Sequence, residues 1–178
     1  MAGAADSDAA TPAHLNPDNF PQRLAHPESN IRVELTYSPL APSEYTAHVR
    51  SPHAGANVLF LGTTRSSFAD RPVSRLAYSS YAPMALATMM AIAVEATRKH
   101  DLKGVSIAHR LGEVDVGEES IAIAVSAAHR RPAWRAGEEI LERCKEKVEI
   151  WKREDFADGM GAEWRANRDR DADGNPAE

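Results

Sequence analysis

Glu119-Ser120-Ile121-Ala122-Ile123-Ala124-Val125-Ser126-Ala127-Ala128-His129-Arg130-Arg131-Pro132 is the stretch whose reading decides the fold. Ile121, Ile123, Val125 and Ala127 recur at every second position, the period of a strand, and His129 shares their face if the strand stays regular. Pro132 then opens a helix running to about Val148. At about 100° per residue, Trp134, Gly137, Ile140, Leu141, Cys144 and Val148 form one apolar stripe on it. Upstream, Val105 to Leu111 reads as a second strand, and a turn containing Gly117 makes an antiparallel pair the simplest arrangement.

Farther out, Ile31, Val33 and Leu35 alternate as a strand does, and Ser43-Glu44-Tyr45 offers an N-cap for a short helix. Ala56 to Gly62 is a compact apolar run, read as a buried strand, and a loop with Arg65, Asp70 and Pro72 follows it. A strand over about Val73 to Tyr81 leads through Pro83 into a helix carrying Leu86, Met89, Met90, Ala93, Val94 and Thr97 at helical spacing. Strands and helices mix without strict βαβ alternation, so the class is α+β.

The 178 residues, 43% hydrophobic and 26% charged, suffice for one globular domain with loose ends. Residues 1–28 are rich in Ala, Asp, Pro and Asn without hydrophobic period and are expected to be disordered. The domain is expected over 29–165 and a charged, flexible tail over 166–178. That tail contains Asp169-x-Asp171-x-Asp173-Gly174, the opening of a calcium loop whose position-twelve glutamate would fall beyond Glu178, so it reads as a solvated acidic segment. A net charge of −5 argues against a general nucleic-acid binder. One cysteine, Cys144, excludes an intrachain disulfide and a multi-cysteine zinc site, which fits a reducing compartment. With no secretory pattern at the N-terminus and no run long enough to span a bilayer, a cytoplasmic location is expected, with no membrane partner.

Against that acidic balance, Lys145, Lys147, Lys152 and Arg153 gather around the end of the last helix, with His129 and Arg130 at its start. A local excess of positive charge points to an anion. Val105-Ser106-Ile107-Ala108-His109-Arg110 and Val125-Ser126-Ala127-Ala128-His129-Arg130 look alike, so either His-Arg pair is a candidate. The second is preferred, because it ends a strand just before a helix, where side chains and backbone N–H groups converge. Lys145 and Lys147 flank the apolar stripe on opposite sides, where a lysine is usually a snorkelling surface residue. A partly desolvated lysine crowded by cations would instead supply free amine, a base or nucleophile, and the wheel mildly favours Lys145. Cys144 lies mid-stripe and reads as a small buried hydrophobe; His129 has no second ligand at metal spacing.

Phe60-x-Gly62-x-x-Arg65, Tyr81-x-x-Met84, Ala108-His109-Arg110-Leu111-Gly112 with Gly117-Glu118, Ser126 to Arg130, Lys145, Ile150 to Glu154 and Trp164 occur in an order and spacing that resembles the large, catalytic subunit of molybdopterin synthase. The resemblance covers roughly Arg32 to Arg168. It implies an α/β-hammerhead-containing α+β domain with a mixed or antiparallel sheet and flanking helices. It further implies a homodimer within a heterotetramer, each protomer binding a small ubiquitin-like carrier whose C-terminal Gly-Gly is a thiocarboxylate. The implied enzyme is a sulfurtransferase that moves sulfur from two carriers to cyclic pyranopterin monophosphate, forming the molybdopterin dithiolene, with no cofactor and no metal of its own. By position, Lys145 and Lys152 match the family's essential lysines, and His129, Arg130, Arg153 and Glu154 its substrate-contacting residues. Arg65 matches a pocket arginine and Arg168 one contributed across the dimer. Glu149 stands where the family often has proline. The alternative reading is a non-catalytic module that grips the C-terminus of a ubiquitin-like protein.

Overall fold

The computed structural model of the protein describes residues 16–68, 70–157 and 162–166. Among them are three α-helices and two sheets, in agreement with the α+β expectation. The first sheet has the order β1 (Gln22–Ala25), β2 (Ile31–Thr36), β6 (Leu102–Arg110), β8 (Glu119–Ala127), β3 (Ala56–Thr63). Its strands pair antiparallel except β2 with β6. The second sheet runs β10 (Ala162–Ala166), β9 (Ile150–Phe156), β5 (Arg71–Ser80), β4 (Ser67–Phe68), with β7 (Gly112–Asp115) also on β5.

Strand β8 explains the layering. In β8 the side chains of Ile121, Ile123, Val125 and Ala127 join the main core with α2 (Ala82–His100) and α3 (Arg130–Lys147), while Ala122 and Ala124 point to the other face, against Tyr45 and Val49 around α1 (Pro42–His48). Larger residues meet two long helices and alanines meet one short helix, which is what a period of two permits. Helix α3 sits on this sheet through Ala133, Ala136, Ile140 and Cys144, all buried. Full burial of a side chain such as Ile140 contributes about 1.5–3 kcal/mol.

Several expectations are corrected. Residues 16–28 are not structureless: a 3-10 turn over Pro17–Asn19 precedes β1, which pairs with β2, and Phe20 packs edge-on against Tyr37 at 4.9 Å. The reason is tertiary, since the open edge of β2 offers backbone groups that any extended chain can satisfy. Helix α1 begins at Pro42, so Ser43 lies inside its first turn and supplies no cap. The pair β6 and β8 is antiparallel as expected, but β7 lies between them in sequence and joins the second sheet. The chain changes sheets at Gly112, whose φ of +75° and closeness to Tyr37, 2.9 Å from where a Cβ would sit, both favour glycine. Strand β8 stops at Ala127, so His129 is the N-cap of α3 rather than a strand residue, and Trp134 of the expected stripe is 64% exposed. The acidic motif over 169–174 and Arg168 lie outside the described residues.

Candidate active site

Where the two sheets and the end of α3 meet, a cleft of about 490 Å³ opens. Its floor comes from the ends of β3, β6 and β8, through Phe60, Gly62, His109 and Ile121. Its opposite wall is the second sheet, through Phe68, Leu76, Tyr78, Lys152 and Glu154, and Lys145 enters from the last turn of α3.

Each charged group arrives by a definite local rule. Lys145 follows the buried Cys144, at the edge of the helix face that packs on the sheet, and is partly buried; Lys147 is exposed and does not line the cleft. The pair left open by the helical wheel is therefore resolved by packing. On β9 the pleat sends Lys152 and Glu154 into the cleft and turns Arg153 and Asp155 to the other side. Arg153 donates from Nε and Nη2 to the two carboxylate oxygens of Asp155, at 2.7 and 2.9 Å, and its guanidinium lies 5.5 Å from the Trp164 ring centroid. Asp155 holds this guanidinium above its ordinary pKa. Arg65, exposed and just past β3, reaches the cleft mouth.

Among the described lining residues three cations, Arg65, Lys145 and Lys152, stand against the Glu154 carboxylate, in a chain that is acidic overall. Lys152 Nζ lies 3.5 Å from Glu154 Oε1 and 5.9 Å from the Phe68 ring centroid. Glu154 is only 2% exposed, and its Oε2 has no hydrogen-bond partner among the described residues. A buried carboxylate oxygen without a donor is costly, so this one is positioned to receive a donor from a bound molecule.

Of the sequence-predicted residues, Lys145, Lys152, Glu154 and Arg65 come together here. His129 and Arg130 do not: both are exposed at the start of α3. Arg130 and Lys145 are fifteen residues apart on one helix, about 22 Å at 1.5 Å rise, so one protomer cannot gather both. The histidine that does line the cleft is His109, 2% exposed. Its Nδ1 lies 2.8 Å from the Arg110 carbonyl oxygen, which can only accept, so Nδ1 is the donor. Burial pushes the imidazole down to about 4. Arg110 itself pairs with Glu118 at 2.7 Å. Within one chain, then, it is the histidine of the first His-Arg pair that lines this cleft. The available signal was a histidine in alternation with the buried Val105 and Ile107 on one face of β6. Cys144 is buried, its thiol pushed up to about 12, as the inert reading requires.

The family model described as "MoaE protein" matches residues 35–147. The molybdopterin synthase catalytic subunit of Ajellomyces capsulatus is 64% identical over 169 residues, 92% of this chain and 82% of that protein. The crystal structure of molybdopterin synthase from Staphylococcus aureus superposes with a TM-score of 0.70 at 32% identity, covering 74% of this chain and 94% of that one. A complex of subunits 1 and 2 of the molybdopterin-converting factor from Helicobacter pylori shares the fold, with a TM-score of 0.59 at 20% identity, over 72% of this chain and 92% of that one. No helix among the described residues is long and apolar enough to cross a membrane.

Proposed function

The chain belongs to the MoaE protein family, the catalytic subunits of molybdopterin synthase, and from that premise we propose that its cleft carries out a sulfur transfer. The substrates are a small ubiquitin-like carrier with a C-terminal Gly-Gly thiocarboxylate and cyclic pyranopterin monophosphate. Two sulfurs move to the pterin side chain, the cyclic phosphate opens, and each carrier leaves as a carboxylate once water has supplied the oxygen that replaces sulfur. The site needs no metal of its own for this, and the reaction belongs in the cytoplasm.

The observation that carries the reading is the convergence of Lys145, Lys152 and Arg65 on one half-enclosed cleft. Both reactants are anions, so their approach costs Coulomb energy, which fixed cations in a water-poor space offset. Lys145 acts as base or transient nucleophile at the carrier's carbonyl carbon. Lys152 holds phosphate or developing negative charge, and Arg65 makes bidentate oxyanion contacts at the mouth. The Glu154 Oε2 atom accepts from an N–H or O–H of the pterin.

The functional unit is a homodimer within a heterotetramer. His129 and Arg130 serve the partner's cleft rather than their own, which accounts for their separation from Lys145 on α3. Arg153 takes a supporting role on the outer face of β9, and Arg168 contributes across the dimer. Co-expressing Lys145→Ala and Arg130→Ala chains tests the sharing: mixed dimers contain one intact cleft and regain activity if the partner subunit's Arg130 completes it.

The defining assay mixes the protein with thiocarboxylated carrier and cyclic pterin precursor and measures dithiolene product. Wild type forms product and Lys145→Ala binds the carrier without forming it. A wild-type protein that binds carrier stably and yields no product would instead establish the non-catalytic carrier-binding module.

A further inference from the structure

His109 belongs to neither the cations of the cleft nor the ordinary core. On β6 it shares a face with Val105 and Ile107, both 0% exposed, so packing alone calls for a third apolar side chain. An imidazole buried there adds polar atoms whose desolvation must be offset. One nitrogen is accounted for by the Arg110 carbonyl at 2.8 Å, which places the proton on Nδ1 and the lone pair on Nε2. The ring is also fixed in rotation, because Tyr78 meets it edge-on with centroids 4.8 Å apart and planes 73° apart. Beneath the cleft lies a small void of about 10 Å³, and three residues line both spaces: His109, Ile121 and Lys145. Ile121 is the cross-strand partner of His109. His109 and Lys145 therefore share two walls, with a tautomer-fixed acceptor on one side and an amine on the other.

We propose that His109 is a positioning residue for Lys145: its Nε2 accepts a hydrogen bond from the Lys145 Nζ group and holds that nitrogen toward the cleft. Burial keeps the ring uncharged at neutral pH, so it accepts from the lysine rather than repelling it, and adds no charge that would compete for anions. Nδ1, locked by the backbone, cannot exchange roles with Nε2, so the acceptor does not wander. The catalytic consequence rests on the sulfur-transfer reading; the contact itself does not.

The test therefore has two independent parts. In the full-length protein, trace acetylation by acetic anhydride is quantified at Lys145 by mass spectrometry, with Lys147 as the internal reference. His109→Ala changes the Lys145 to Lys147 ratio several-fold, and His109→Gln, whose amide oxygen reaches about as far as Nε2, returns it toward wild type. In turnover, His109→Ala lowers kcat roughly 10- to 100-fold, the worth of one hydrogen bond to a charged group, with KM within a factor of two and partial rescue by Gln. Should the alanine variant fail to fold, the ¹⁵N resonance of His109 Nε2 is compared in wild type and Lys145→Met. The resonance moves if the lysine is its donor. An unchanged labelling ratio in folded His109→Ala, or an unmoved resonance, overturns the proposal. A shifted ratio in a protein without synthase activity upholds the contact and rejects the sulfur-transfer reading instead.

Discussion

Replacing Lys152 by alanine removes the cation 3.5 Å from Glu154, a carboxylate that is 2% exposed. At that separation and an effective dielectric near 20, the direct attraction is about 5 kcal/mol. Desolvation of both groups cancels much of it, so the net worth of the intact pair is small, whereas removal of one partner alone costs about 3 kcal/mol or more. For a chain of this size that is a fall in Tm of about 6–12 °C. The companion change Glu154→Gln keeps the shape and removes the stranded charge. The double variant Lys152→Ala/Glu154→Gln should therefore recover about 1–2 kcal/mol relative to Lys152→Ala. Urea unfolding, read as midpoints at constant slope, measures the cycle. Synthase activity stays low in both variants, because the double variant restores stability without restoring the cation. Equal midpoints for Lys152→Ala and the double variant, with a coupling below about 0.5 kcal/mol, would refute the claim that Glu154 depends on Lys152.

Three further outcomes follow from the same structure. Gly62→Ala places a Cβ 2.6 Å from Ile121 Cγ2 on the cleft floor, so thermal melting should show a loss of about 1–3 kcal/mol from overpacking, with turnover reduced as well. His109 has its pKa depressed from about 6.5 to about 4 by burial, so the unfolded chain binds the extra proton first; stability is complete above pH 6.5 and declines as pH falls through 4, by about 3 kcal/mol. Melting curves of wild type and His109→Gln between pH 7 and 4 should diverge by that amount, and parallel curves would contradict it. Cys144, 5% exposed with its thiol near 12, should resist a disulfide reagent in the native protein and react as one thiol in denaturant.

Periodicity in the sequence was enough to determine the local elements. Alternation in Glu119–Ala127 and Val105–Leu111 makes strands in any context that buries one face, and the spacing of Ile140, Cys144 and Val148 makes a helix. The order of short motifs sufficed for the family as well, and hence for Lys145 and Lys152 as candidates. What the linear pattern leaves undetermined is every choice that depends on two segments meeting. Two nearly identical phrases end in His109-Arg110 and His129-Arg130. One imidazole is buried under the cleft because β6 is an inner strand, and the other is exposed because the chain has already left β8 to cap a helix. Lys152 and Arg153 are adjacent in sequence yet face opposite ways, and only the pairing of β9 with β5 decides which one sees Lys145. Strand β1 is the same case: little in Gln22–Ala25 demands a strand, and the unpaired edge of β2 creates one. Local propensity acts over a few residues and is written along the chain. Side-chain convergence is set by the register and packing of segments distant in sequence, and only the folded chain contains it.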